Sequence, residues 1–184
     1  MTVPTDSNQI EKLYIDTNIL IHWSSTRQNR YFSRRATRLL DAIERGQYVG
    51  IISSLTLMEF YIVIKRLILR ESQVQEHGNI EKNAREKLAT VFRLHNTIFP
   101  KDTTVDRVLL FQVLATAFTI LMDHPGKIVL RWAHYRFNSL GVADVIHLLT
   151  AKALGCTCIA TFDVGFRDTS NILPVMLVHR DRIA

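Results

Sequence analysis

Residues 13–20 read LYIDTNIL, an apolar run from Leu13 to Ile15 that stops at Asp16 and hands over to Thr17 and Asn18. A short run of this kind predicts a buried strand with a carboxylate at its carboxyl end, the edge of an open α/β sheet where ligands bind. The arrangement recurs late in the chain, where Cys156 to Phe162 (CTCIATF) forms a second apolar, β-branched run that stops at Asp163. If both strands lie parallel in one sheet, Asp16 and Asp163 emerge at the same edge. Two further acids are oddly placed: Glu59 inside LTLMEFYIVI and Asp144 inside GVADVIHLL. Charged side chains are almost never fully buried without a partner. Four carboxylates at one sheet edge repel one another unless divalent cations neutralise them, which points to an oxygen-ligand Mg²⁺ or Mn²⁺ site.

Outward from the first strand, Ser33 to Arg45 (SRRATRLLDAIER) carries Ala36, Leu39, Leu40 and Ile43 at helical spacing, and Gly46 ends the helix. Tyr48 to Ile52 reads as a second strand. Ser53 and Ser54 suit the N-cap of a helix that carries Glu59 and continues through Arg70. After a polar break around His77, Gly78 and Asn79, Ile80 to about Ile98 reads as another helix, bounded by Pro100. A further helix is expected over Thr104 to Ala117, and Phe118 to Met122 as a third strand. Pro125 and Gly126 mark the turn after it. Lys127 to Asn138 reads as helix, and Val142 to Leu154 as the next, with Gly155 at its C′ position. Ile172 to Val178 supplies a fifth strand, in which Pro174 argues for a sheet edge. Strands alternating with helices predict a mostly parallel three-layer α/β/α sandwich. The 184 residues are expected to form a single domain, with a helical insertion or arm at about 71–117.

Composition fits that picture: 47% hydrophobic and 22% charged residues are ordinary globular values. An excess of 23 Lys and Arg over 17 Asp and Glu gives a formal charge of +6. A basic protein with a carboxylate cluster suits a polyanionic substrate, although solubility alone explains such a charge equally well. Arg27, Arg30, Arg34, Arg35 and Arg38 are a candidate phosphate-contacting patch or a solvated helix face. Cys156 and Cys158, two apart on an expected strand, point to one face with poor geometry for a mutual disulfide, as reduced residues of a cytoplasmic protein. The N-terminal stretch lacks the apolar core of a signal peptide, and Val108 to Met122 is shorter than the roughly 20 residues of a membrane span, so no membrane partner is expected.

The acidic set suits hydrolysis of a phosphodiester. That reaction needs a nucleophile made from water, stabilisation of charge in the transition state and help for the leaving oxygen, all of which two metal ions about 3.5–4 Å apart supply. Asp16 is the first choice for a shared ligand, Asp144 lies near a helix N-terminus, and Asp163 and Glu59 complete the set directly or through waters. Asn18 and Thr161 are placed to orient ligands or waters. Each acid also has a purely structural use. Asp16 and Asp163 suit N-caps, Glu59 suits an ion pair with an arginine, and Asp144 suits a first-turn dipole contact. His147, one turn beyond Asp144, suits a packing or substrate-facing role, because an all-oxygen site has no need of imidazole. No P-loop, dinucleotide fingerprint, nucleophile elbow or zinc pattern is present.

LYIDTNIL with Asp16, SLTLMEFY with Glu59, GVADVIHLLTAKALGC with Asp144 and CIATFDVGF with Asp163 resemble the four acidic motifs of PIN-domain nucleases, in that family's order, from Leu13 to Val178. The resemblance implies a parallel sheet of order 3-2-1-4-5 and Mg²⁺- or Mn²⁺-dependent endoribonuclease activity. It also implies a metal site on Asp16, Glu59, Asp144 and Asp163, with Asn18 and Thr161 at accessory polar positions. Many small prokaryotic members resemble VapC, toxins that act on RNA such as tRNA or rRNA as homodimers and are held inactive by a cognate antitoxin. This chain is longer than a compact toxin, chiefly between Glu71 and Ala117, and His147 stands where small apolar residues are more usual. The leading expectation is a metal-dependent endoribonuclease, in the finer reading the toxin of a type II toxin–antitoxin pair. Its rivals are a PIN-fold RNA-processing nuclease without antitoxin and a catalytically silent RNA-binding protein. A phosphotransferase using Asp16 as nucleophile is disfavoured, since Asn18 occupies the place of a second acid.

Overall fold

β1 (Lys12–Ile15) forms the middle of the sheet, and its alternating side chains divide the interior in two. Leu13 and Ile15 enter one core with Ile19, Leu20, Leu39, Ile43 and Phe60. Tyr14 enters the other, with Val145, Leu148, Ile159 and Phe166. These positions are fully buried or nearly so, which is why the strand reads as a continuous apolar run. The structure, a computed structural model, describes residues 10–24, 29–71, 77–99, 130–132, 135–137 and 141–180.

β1 pairs in parallel with β2 (Val49–Ile51) on one side, and β2 pairs in parallel with β3 (Thr97–Ile98). A separate antiparallel pair is formed by β4 (Leu130–Trp132) and β5 (Tyr135–Phe137). On the other side of β1 lies β6 (Cys158–Thr161), followed by β7 (Val175–Leu177) at the edge, again in parallel. The order β3-β2-β1-β6-β7 is 3-2-1-4-5 when the sheet's own strands are counted along the chain, as the sequence predicts. Pro174 immediately precedes the edge strand and accepts a hydrogen bond from Ile159 N through its carbonyl.

Helices α1 (Thr17–Ser24), α2 (Arg30–Glu44), α3 (Ser54–Glu71) and α4 (His77–Val91) supply the first core, and α5 (Val142–Ala153) with the 3₁₀ turn at Val164–Thr169 supplies the second. This is the expected three-layer α/β/α fold. In α2, Ala36, Leu39, Leu40 and Ile43 are buried as predicted, while Arg30, Arg34 and Arg38 are exposed. Arg27 lies outside the described residues. Gly46 and Gly155 follow α2 and α5 with positive φ (78° and 67°), the left-handed conformation that ends a helix. An added Cβ at Gly155 meets nothing within 4 Å, so Gly155→Ala tests the backbone alone. It is expected to cost about 1 kcal/mol in urea unfolding, with Gly155→Asn costing less.

Three expectations need correction, and two further elements lie outside the described residues. The helix read through Ile98 stops at Val91, and its last residues supply β3 instead. Asn96, at φ 52°, makes the turn between them, a conformation that asparagine tolerates better than most residues. The strand expected at Phe118–Met122 and the helix at Thr104–Ala117 lie outside the described residues, and the third position of the sheet is held by Thr97–Ile98. The helix expected over Lys127–Asn138 is replaced, where described, by β4 and β5, whose Trp, Tyr and Phe are strand formers. Finally, Cys156 and Cys158 do not share a face. β6 starts only at Cys158, so Cys156, in the turn after α5, joins the second core while Cys158 packs against the first; both are free thiols. Of the expected arm, α4 is described, and its Ala84 and Val91 belong to the first core. No helix among the described residues is long and apolar enough to cross a membrane.

Candidate active site

The register Ile15↔Ala160 brings Asp16 and Thr161 side by side at the carboxyl ends of the two central strands. Asp16 N donates to Ala160 O at 3.1 Å, which extends the ladder by one bond and fixes the acid rigidly. Only 5% of Asp16 is exposed, and Thr161 is fully buried. Asp16 Oδ2 accepts from Thr161 Oγ1 and from Asn18 Nδ2, each at 2.6 Å. Thr161 Oγ1 in turn accepts from Asn18 Nδ2 at 3.0 Å and from Asp163 N at 2.9 Å. Asn18 Oδ1 accepts from Phe162 N at 3.1 Å, closing a ring of hydrogen bonds that joins both strand ends. The two polar residues read as accessory positions are therefore the brace between Asp16 and the segment carrying Asp163.

Asp163 also caps the 3₁₀ turn, its Oδ1 accepting from Gly165 N at 2.7 Å. Asp144, in the first turn of α5, accepts from Gly141 N through Oδ2 at 2.8 Å. The capping use foreseen for Asp163 is thus real, and Asp144 lies in the first helical turn as foreseen, where it binds the backbone amide of Gly141. Burial raises the Asp144 pKa above the ordinary carboxylate value, opposed by the Gly141 hydrogen bond and reinforced by Asp163 and Glu59. Burial likewise raises Asp16, opposed by His147 and Thr161 and reinforced by Asp144. All four acids therefore contribute to one local field.

Glu59 departs from expectation. Its partner is His147 rather than an arginine, with Nε2 at 2.8 Å from Oε2, and Thr17 Oγ1 donates to the same oxygen at 2.8 Å. The His147 hydrogen bond, outweighing burial, holds the Glu59 pKa below the usual range. His147 is 1% exposed, so it does not face a substrate. Its Nδ1 lies 2.8 Å from the Tyr14 hydroxyl, which also meets Ser53 Oγ at 2.6 Å. Thr17, Tyr14 and Ser53 were not among the expected site residues, and His147 was expected to pack or to face a substrate rather than to bind Glu59. The one sequence signal was a histidine within an otherwise apolar helix face, since its partners lie far off in the chain.

Among the described residues no lysine or arginine pairs with any of the four acids, and no group of three or more His, Cys, Asp or Glu side chains is arranged to hold a metal ion. The donor chemistry is nevertheless that of a hard cation: carboxylates from two strand ends and two helices, with ionisation disfavoured at the buried Asp16 and the half-buried Asp144.

The family model for the PIN domain matches residues 13–172. Among solved structures, the Mycobacterium tuberculosis toxin VapC20, described as cleaving the sarcin-ricin loop, is similar to this chain with 12% identity and a TM-score of 0.48, covering 86% of this chain and 94% of that one. No curated protein matches.

Proposed function

The chain belongs to the PIN domain family, and from that membership we propose that it is a metal-dependent endoribonuclease that hydrolyses RNA phosphodiester bonds at Asp16, Glu59, Asp144 and Asp163. The observation that carries this reading is Asp16 itself. A nearly buried carboxylate, fixed at the end of the central strand and braced by Asn18 and Thr161, has no described lysine or arginine paired with it.

Asp16, Asp144 and Asp163 would hold Mg²⁺ or Mn²⁺, partly through water, with Glu59 presenting whatever is not bound to His147 and Thr17. The cation would activate a water and stabilise charge on the phosphoryl oxygens. The chain's own contribution is placement: Thr161 and Asn18 fix the Asp16 carboxylate, Gly141 and Gly165 fix Asp144 and Asp163, and the exposed arginines of α2 offer contacts for phosphates.

The finer reading is the toxin of a type II pair, acting as a cytoplasmic homodimer on tRNA or rRNA and restrained by an antitoxin. It draws on the resemblance of the four motifs to PIN-domain nucleases, many of whose small prokaryotic members are VapC-like toxins. The catalytically silent RNA-binding alternative draws on one observation, that Glu59 already pairs with His147. Purified protein mixed with a tRNA and rRNA pool separates them. Cleavage with Mn²⁺ or Mg²⁺ and none with EDTA is expected, and no cleavage by folded, partner-free protein would favour the silent reading.

The raised carboxyls make a second expectation. Folded protein holds the Asp16 and Asp144 protons more tightly than unfolded chain does. Their contribution to metal-free stability is therefore lost as pH rises from the ordinary aspartate value of 3.8 through the raised folded values. Glu59 works in the opposite sense, losing its contribution as pH falls below the ordinary glutamate value of 4.5 through its lowered one. Mn²⁺ is expected to raise the melting temperature more at about pH 8 than at about pH 5, where protons compete for the same oxygens. An equal shift at both would contradict binding by these acids.

A further inference from the structure

We propose that His147 is a positioning residue for this centre: its Nε2 fixes the Glu59 carboxylate, and a run of hydroxyl groups from Ser53 and Thr56 through Tyr14 fixes the imidazole. The proposal rests on the nuclease reading in so far as Glu59 belongs to the site.

Hydrogen placement follows from the partners. The Glu59 carboxylate only accepts, so His147 Nε2, at 2.8 Å from Oε2, carries a hydrogen. In the neutral ring Nδ1 then accepts, and the donor facing it is the Tyr14 hydroxyl at 2.8 Å. Burial pushes the Tyr14 phenol pKa upward and keeps that hydrogen in place. With its own hydrogen given to His147, the Tyr14 oxygen accepts from Ser53 Oγ at 2.6 Å and from Thr56 Oγ1 at 3.2 Å. Every dipole in the run Ser53, Tyr14, His147 points toward Glu59.

The second donor to Oε2 is Thr17 Oγ1. Thr17 opens α1, on the side of the first core, whereas His147 belongs to α5, on the side of the second. Glu59 is thus pinned through one oxygen from both layers of helices. Its Oε1 takes no hydrogen bond among the described residues, and its side chain keeps 28% exposure, so that oxygen is the one presented to the site. Side chains that orient a ligand in this way are typically worth tenfold or more in metal affinity.

Two isosteres separate positioning from packing. An asparagine amide reaches the place of Nδ1 and leaves Tyr14 a partner but does not reach Glu59, whereas a glutamine amide reaches the place of Nε2 and keeps the donor to Glu59. Mn²⁺ affinity, read by electron paramagnetic resonance, is expected to fall about tenfold in His147→Asn and to stay near wild type in His147→Gln. Adding His147→Asn to Glu59→Gln is expected to cost nothing further. Equal losses in both isosteres, or penalties that add, would overturn the proposal. Nitrogen-15 spectra of metal-free wild type give a readout that needs neither metal nor RNA: His147 is expected as the Nε2–H tautomer, and an Nδ1–H tautomer would overturn the relay. Should wild type neither bind Mn²⁺ nor cleave RNA, the nuclease reading falls and the tautomer alone decides the role of His147.

Discussion

Asp16→Asn is expected to lower RNA cleavage about a thousandfold, the loss of roughly 4 kcal/mol of transition-state stabilisation, while the protein stays folded. Asparagine has the same volume and retains an oxygen that accepts from Asn18 Nδ2 and Thr161 Oγ1, so the brace at the strand ends survives. What disappears is the charge. Because burial raises the Asp16 pKa, ionisation there opposes folding near neutral pH, and removing it is expected to raise the melting temperature in metal-free buffer. Such a variant combines a more stable fold with a dead site, a trade found where function keeps unfavourable groups in place. Matched cleavage assays and thermal melts check both halves. Full activity, or a collapse of stability, would contradict the role given to Asp16.

The second large effect is at Thr161. Its hydroxyl donates to Asp16 Oδ2 and accepts from both Asn18 Nδ2 and Asp163 N, so a single group ties the two strand ends together. Thr161→Val keeps the shape and deletes the hydroxyl, which leaves the amide of Asp163 and one oxygen of Asp16 short of a partner. A loss of about 1–3 kcal/mol in stability is expected from the unpaired groups. Cleavage is expected to fall about tenfold to a hundredfold from the loosened carboxylates. Thr161→Ser restores the hydroxyl and is expected to recover most of the activity, though a small cavity remains. Equal activity in the valine and serine variants would show that the brace does not matter to the chemistry.

The strands that carry Asp16 and Asp163 were legible because each is an apolar run, buried on both faces, that ends on an acid. α2 and α5 were legible for a related reason, since buried positions at helical spacing are closed by a glycine with positive φ. β3 was not, because a two-residue strand has no period to detect and follows a helical pattern that fades only gradually beyond Val91. Its one local signal was Asn96. The pair β4 and β5 was read as helix although Trp132, Tyr135 and Phe137 favour strands. At the site, Asp16 and Asp163 were legible as acids at the ends of apolar strands, and Glu59 and Asp144 as acids set inside apolar helical segments. The attachment of Glu59 to His147 was not. His147 lies 133 residues from Tyr14 and 88 from Glu59, and no local pattern in α5 encodes either contact.

The most direct measurement is anomalous diffraction from crystals of the wild-type protein soaked in Mn²⁺. An anomalous peak beside the Asp16 carboxylate, within reach of Asp144 and Asp163 directly or through water, and its loss in Asp16→Asn, are the expected results. Mn²⁺ bound elsewhere, or no peak from crystals that diffract well at saturating Mn²⁺, would contradict a metal-dependent centre at these four acids.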